Sequence, residues 1–278
     1  MDYVEISFVC NETMAEILMA ELSEIGFESF IETDDGLLCY VQSEVFDKDT
    51  LDSQISRYSG VDELKYRILN IPKKNWNEEW EKNYNPIIIG DKAIVRADFH
   101  NVEKKYDYDI IITPKMSFGT GHHQTTAMML KLQMDLDHKG KEVYDIGCGT
   151  GILSIMAAKR GAEKITGCDI DEWSVENSTE NIEKNGLEGK IAIIHGTVQS
   201  LPETPVDIIL ANINKNIILA ELEMYNARLK ENGRILFSGF YERDTSDILE
   251  AAGEFGMILE NEASDQNWKC LQLVKKGK

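Results

Sequence analysis

Two glycine-rich stretches lie close together in the chain, FGTGHHQTT at 118–126 and DIGCGTG at 145–151. The second has the spacing G-x-G-x-G, at Gly147, Gly149 and Gly151, with Asp145 in the strand-like run before it. A dinucleotide fingerprint is instead G-x-G-x-x-G, whose glycines let a pyrophosphate approach a helix N-terminus, and the phosphate loop G-x-x-x-x-G-K-[ST] is also missing. An acid ahead of the loop suits a ligand bearing positive charge better than a pyrophosphate. Asp169, in CDID, ends the next strand-like run, where a carboxylate can accept both hydroxyl protons of a ribose. A nucleoside with a cationic tail fits this pair, and S-adenosylmethionine is such a molecule. Asp171, two residues further on, reads as the cap of the following helix.

In the first stretch, His122 and His123 invite a metal reading. Adjacent loop residues with no acid or cysteine at ligand spacing make a poor site, so no metal is expected and the histidines are read as solvent-facing. Thr125 and Thr126 stand at the head of AMMLKLQMDL, where Ala127, Leu130 and Met134 share one helical face. The loop therefore delivers its threonines to a helix start. The five cysteines (Cys10, Cys39, Cys148, Cys168, Cys270) contain no C-x-x-C pair and read as buried thiols, neither a zinc site nor a disulfide framework.

The elements that must position these residues fall into two expected domains, in a chain of 278 residues with 42% hydrophobic content. Val4, Ile6, Phe8 and Cys10 alternate at strand period; Met14, Ile17, Leu18, Leu22 and Ile25 then recur at helical spacing, with Gly26 as a stop. FESFIET and GLLCYVQ, around DD and Gly36, read as a hairpin, TLDSQISRYSG as a second helix and ELKYRILNI as another strand. The order βαββαβ over 1–72 matches a ferredoxin-like domain and holds no catalytic cluster, so recognition or docking is its expected use. IPKKNWNEEWEKNYNP predicts a linker helix over 73–85, with Asn75 and Glu78 as a capping pair and Trp76 and Trp80 on one face. From 86 to 278, PIIIGDKAIVRADF and DYDIIITP precede the first loop, and strand-like runs then alternate with helical ones. That pattern predicts an α/β, doubly wound, Rossmann-like parallel sheet, with ligands beyond the carboxyl ends of its strands.

A formal charge of −20, from 49 acidic and 29 basic residues, disfavours a large phosphate-binding surface, because nucleic-acid affinity rests on Lys and Arg displacing counterions. A basic protein or a small molecule fits better as substrate. The opening residues MDYVEISFVC hold no basic stretch followed by an apolar one, and no apolar run approaches the ~18 residues a membrane span needs, so a cytoplasmic protein is expected.

FGTGHHQTT, DIGCGTGILSI, the GCDID acid and ANIN at 211–214, behind a small N-terminal domain and a Trp-containing linker, resemble the bacterial ribosomal protein L11 methyltransferase family. The likeness covers nearly the whole chain in order. Its glycine loop is shared with many methyltransferases; the FGTG-H-x-TT loop joined to this domain order is specific. The resemblance implies a class I methyltransferase that uses S-adenosylmethionine to methylate the N-terminal α-amine and lysine ε-amines of ribosomal protein L11, with the N-terminal domain recognising the substrate. It implies cofactor contacts at Thr126, Gly147, Gly149, Asp169 and Asn212, with the FGTG segment as a lid hinged at Gly119 and Gly121. ANIN occupies the slot where related amide methyltransferases carry N-P-P-Y, and the missing prolines and aromatic argue for a more open amine site. Lys115 and Asn214 depart from residues common in the family. The run IIHGTVQ has no acid after its strand, so the usual carboxylate contact to an adenine amine has no candidate there. No residue is assigned as a general base, and a monomer without direct nucleic-acid or membrane binding is expected.

Three other classes are weighed against this reading. A nicotinamide oxidoreductase would need G-x-G-x-x-G and a hydride-transfer site. A ribosomal RNA methyltransferase should carry a basic face, and a docking module that merely kept a nucleoside site would bind without turnover.

Overall fold

The computed structural model describes residues 3–33, 35–58, 64–71, 84–115 and 117–277. Two compact units divide the chain, Met1–Asn83 and Tyr84–Lys278.

In the first unit β1 (Tyr3–Val9), α1 (Glu12–Glu24), β2 (Ser29–Thr33), β3 (Gly36–Gln42), α2 (Lys48–Ser56) and β4 (Lys65–Ile71) follow in sequence. The strands form one antiparallel sheet in the order β2-β3-β1-β4. Alternation in β1 buries Val4, Ile6 and Phe8, whose cross-strand partners Val41, Cys39 and Leu37 are buried as well. Met14, Leu18 and Leu22 of α1 and Leu51 of α2 close over the same core. Local signals set the ends of α1. The Asn11 side chain accepts from Met14 N–H at 2.9 Å, and Gly26 follows with φ +99°. At the hairpin, a Cβ on Gly36 would lie 2.1 Å from the Phe8 carbonyl oxygen, so only glycine lets β3 begin there. β1 ends one residue before Cys10, which is half-buried and outside the alternation. The linker helix expected over 73–85, with Trp76 and Trp80, lies outside the described residues except at Tyr84 and Asn85, which are irregular.

The second unit opens with a small sheet, β5 (Ile87–Ile89), β6 (Ala93–Arg96) and β7 (Tyr108–Ile111), before α3 (Gln124–Asp135). Its main sheet uses β8 (Glu142–Ile146), β9 (Lys164–Asp169), β10 (Ile191–His195), β11 (Val206–Asn212), β12 (Leu229–Tyr241), β13 (Met257–Asp265) and β14 (Trp268–Lys275). Their order is β10-β9-β8-β11-β12-β14-β13. Strands β8 to β12 run parallel, linked by α4 (Ile152–Lys159), α5 (Glu172–Lys184) and α6 (Lys215–Arg228), and α7 (Thr245–Glu254) precedes β13.

Strand alternation divides the interior between the two sheet faces. Val143, Ile208, Leu210 and Leu236 face α3 and α4, whereas Tyr144, Ile146, Ile209, Ala211 and Phe237 face α6 and α7. Chain order reverses between β8 and β11, which makes their carboxyl ends the switch point where such sheets bind ligands. Among the described residues no helix is long and apolar enough to cross a membrane.

The expected all-parallel sheet is corrected at one edge. β14 runs antiparallel to both β12 and β13, through a turn whose Gln266 and Asn267 have φ +47° and +69°. β13 escapes sequence reading because it has a neighbour on one side only and leaves Ile258 and Leu259 exposed, so MILENEASD shows no apolar alternation.

Leu22 is fully buried in the core of the first unit. Leu22→Ala is expected to cost about 2–5 kcal/mol in urea unfolding followed by circular dichroism. A loss below ~1 kcal/mol would contradict this account of that core.

Candidate active site

Between β8 and α4 the backbone turns through Gly147 (φ +69°) and Gly149 (φ +53°). A Cβ on Gly147 would lie 2.5 Å from Ile213 Cγ2, and one on Gly149 would lie 2.3 Å from the Phe118 carbonyl oxygen. Glycine is needed here for close approach as well as for conformation. The two glycine-rich stretches are bonded to each other. Thr150 N–H donates to the Phe118 carbonyl at 2.9 Å, and Thr150 Oγ donates to the Gly119 carbonyl at 2.5 Å. From below, Asn181 Nδ2 of α5 donates to the Thr150 carbonyl at 2.9 Å.

Asp169 stands at the end of β9 and faces the loop. One carboxylate oxygen accepts Gly149 N–H at 2.8 Å and the other accepts Asp171 N–H at 3.0 Å. A carboxylate offers about four lone-pair sites, so both oxygens can still accept from a ligand. Asp171 caps α5 through Trp173 N–H, as its position two residues beyond Asp169 predicts.

Asp145 behaves differently from the sequence expectation. It is completely buried and points away from the cleft into the α4 face, where one oxygen accepts Ser154 N–H at 3.0 Å and Ser154 Oγ–H at 2.6 Å. Its other oxygen is buried without a partner. Burial raises its pKa from the usual 3.8 to about 6, against the opposing Ser154 hydrogen bonds. Asp145 therefore braces the loop from beneath and acts on the cleft only through its field.

Gly147, Gly149, Asp169 and Asn212 come together around one cleft of about 520 Å³, within the size range of small-molecule sites. Asn212 ends β11; its Nδ2 donates to Thr126 Oγ at 3.4 Å and its Oδ1 is buried without a partner. Thr126 itself is fully buried behind Asn212 and does not line the cleft. Ser117, Phe118, Ile170, Val198 and Ile217 also line it, and the last three supply apolar surface. Cys168 also lines the cleft, but burial pushes its thiol up to about 12, which leaves it inert as a nucleophile. With a glycine loop, an acid open to a diol and an apolar slot, the arrangement can hold a nucleoside.

His123 is not a solvent-facing loop residue. It caps α3, its Nδ1 accepting Thr125 N–H at 3.3 Å, and its ring packs between Phe118 (centroids 5.3 Å apart) and Trp268 (4.8 Å). His122 is exposed. Histidine is uncommon as a cap, so periodicity gave no warning of this role. Lys115 pairs with Glu180 of α5, and Asn214 caps α6 by accepting Ile217 N–H at 3.1 Å. Ile170, Val198, Ile217 and Glu221 escaped sequence analysis because each reads locally as ordinary strand-end or helix surface.

The sheet order, switch-point cleft and acid-backed glycine loop define a Rossmann-like methyltransferase. The chain belongs to the ribosomal protein L11 methyltransferase (PrmA) family, whose model matches residues 23–276. It is 41% identical over 282 residues to the ribosomal protein L11 methyltransferase of Phocaeicola vulgatus, covering 99% of this chain and 100% of the relative. The Bacteroides fragilis protein of that name is 40% identical over 280 residues, with 99% and 100% covered. Among solved structures, a ribosomal protein L11 methylase from Lactobacillus delbrueckii subsp. bulgaricus superposes with a TM-score of 0.63 at 28% identity, over 70% of this chain and all of that one. A methyltransferase from Pyrococcus furiosus shares the fold alone, at a TM-score of 0.50 and 17% identity over 60% of this chain and 89% of that one.

Because the pKa of Asp145 is raised in the folded state, its stabilising contribution is fully present below pH ~3.8 and is lost as pH rises through about 6. Asp145→Asn keeps an oxygen for Ser154 and removes the buried charge. It is expected to be more stable than the parent above pH 6, by on the order of 3 kcal/mol, with the difference vanishing near pH 4. Urea unfolding across that range checks both the sign and the pH window.

Proposed function

We propose that this protein transfers methyl groups from S-adenosylmethionine to the N-terminal α-amine and lysine ε-amines of ribosomal protein L11. Family membership supports the substrate, since the relatives carry that protein in their names. The observation that carries the donor assignment is the Asp169 carboxylate, fixed by two backbone N–H groups yet still able to accept ribose hydroxyls. Asn212 lines the cleft at the end of β11, and the absence of a Cβ at Gly147 and Gly149 lets backbone approach a ligand. Gly147, Gly149, Asp169 and Asn212 are the proposed contacts, with Thr126 holding Asn212 in place from behind.

When bound, S-adenosylmethionine would supply an electrophilic methyl group on a sulfonium. A neutral amine attacks that carbon in line, the C–S bond breaks with S-adenosylhomocysteine as leaving group, and the methylated ammonium gives its extra proton to water. The chain's own task is to orient that amine and keep it neutral. At an ordinary pKa near 10.4 a lysine is neutral in roughly one molecule in 2,500 at pH 7, and an α-amine near 7.8 in about one in seven. The α-amine is the easier acceptor. For lysine the site must recover about 4–5 kcal/mol, which burial beside a positive charge provides by disfavouring the ammonium. Positioning supplies the rest, and no general base is assigned. The charge of −20 favours encounter with a basic protein in the cytoplasm.

The first unit is proposed as the recognition domain. Its βαββαβ order and antiparallel β2-β3-β1-β4 sheet fit a ferredoxin-like module over 1–72, joined through 73–85 to a methyltransferase domain over 86–278.

Intact-mass spectrometry of recombinant ribosomal protein L11, incubated with this protein and S-adenosylmethionine, should show methyl-sized gains that vanish with Asp169→Ala. No gain while the parent still binds the donor would overturn the substrate assignment and leave the donor assignment standing.

A further inference from the structure

One carboxylate in the cleft has no role in the account above. Glu221 lies in the second turn of α6, one turn beyond Ile217, and both residues line the cleft with Val198 and Cys168. It is half-buried and anchored. The hydroxyl of Tyr225, a fully buried residue, donates to Glu221 Oε2 at 2.5 Å. Burial and the Glu221 carboxylate raise the Tyr225 pKa, so the phenol remains a donor throughout the physiological range. Among the described residues no cation pairs with Glu221, and no further hydrogen bond engages its Oε1. Glu221 is partly exposed, so its second oxygen is open to a donor from a ligand in the cleft as well as from water.

Position selects which part of the ligand supplies it. Asp169, at the end of β9, is committed to the ribose in the proposed reading. Ile170, next to it in the chain, lines the cleft with Val198 and Ile217, and these three side chains offer apolar surface for a base. The turn Val198–Ser200 offers no acid to this cleft, and its Gln199 is hydrogen-bonded to Thr197. Asp171 also lines the cleft, but its carboxylate caps α5, whereas Glu221, one helical turn from Ile217, reaches the cleft from a helix with one oxygen open. An adenine presents an amino group with two N–H donors on its edge, and a carboxylate is a pure acceptor.

We propose that Glu221 determines specificity for the base, its free oxygen accepting the exocyclic amine of adenine; this rests on the S-adenosylmethionine reading above. The carboxylate moves no proton in the methyl transfer. It favours a 6-amino purine and opposes a 6-oxo purine, whose oxygen would meet it acceptor to acceptor.

Isothermal titration of the full chain with S-adenosylhomocysteine and with S-inosylhomocysteine tests this without any turnover. The parent should prefer the adenosyl ligand. Glu221→Gln, which keeps an acceptor for Tyr225 and gains an amide donor, should reduce that preference by about tenfold or more, through weaker adenosyl and stronger inosyl binding. Glu221→Asp, which withdraws the charge by one methylene, should also lose adenosyl affinity, and Glu223→Gln on the exposed side of the same helix should change neither. Equal losses for both ligands in Glu221→Gln, or an unchanged preference, would overturn the proposal. Failure of the parent to bind either ligand would instead overturn the donor assignment on which it rests.

Discussion

The carboxylate of Asp169 joins three pieces of the chain that are distant in sequence. It accepts from Gly149 in the loop after β8 and from Asp171 at the head of α5, while its own strand β9 lies in parallel register with β8, Ile146 opposite Cys168. Charge-assisted bonds of this kind are stronger than those between neutral groups, and here they hold the glycine loop open at a defined height. Gly149 must come so close to Phe118 that a Cβ cannot fit, and Thr150 then bonds back to Phe118 and Gly119. The first glycine-rich stretch is thus seated on the second, and displacement of either would disturb the cleft.

Electrostatics beneath the loop run against stability. Burial holds the Asp145 carboxyl above the usual carboxylate range, at about 6, and one of its oxygens lacks a partner. Folding alone gains nothing from this, since a neutral amide could brace Ser154 equally well. A negative field under the loop is useful only if the ligand above it is positive. The placement therefore agrees with a sulfonium-bearing donor, and the charge acts through the field because the side chain itself is out of reach. Asn212 shows a related compromise, with one amide end held by Thr126 and the other left buried and unpaired at the cleft wall.

The L11 methyltransferase family relation extends over nearly the whole chain, yet individual positions carry their own solutions. Asn214 accepts a helix N–H and Lys115 binds Glu180, so both side chains have a local structural use. Glu221 has no such use beyond its contact with Tyr225. That contrast singles Glu221 out among the carboxylates that line the cleft.

Much of this architecture follows from local chemistry and was legible in the residues alone. Alternation placed β1, and the cap at Asp171 and the stop at Gly26 placed helix ends, because these signals act over a few residues. Asp169 and the glycine loop were legible because a strand end followed by a tight turn restricts residue type. Tertiary structure alone decided the rest. β13 is an edge strand without apolar alternation; His123 becomes a cap only when Phe118 and Trp268 close around it; and Asp145 faces the α4 side because strand alternation directs it there. Glu221 lies 52 residues from Asp169 in sequence, and only the packing of α6 onto the sheet brings both carboxylates to one cleft. Sequence periodicity reports which face of an element is apolar, whereas a site assembled from the ends of several strands depends on which elements become neighbours, and that choice is made by the fold as a whole.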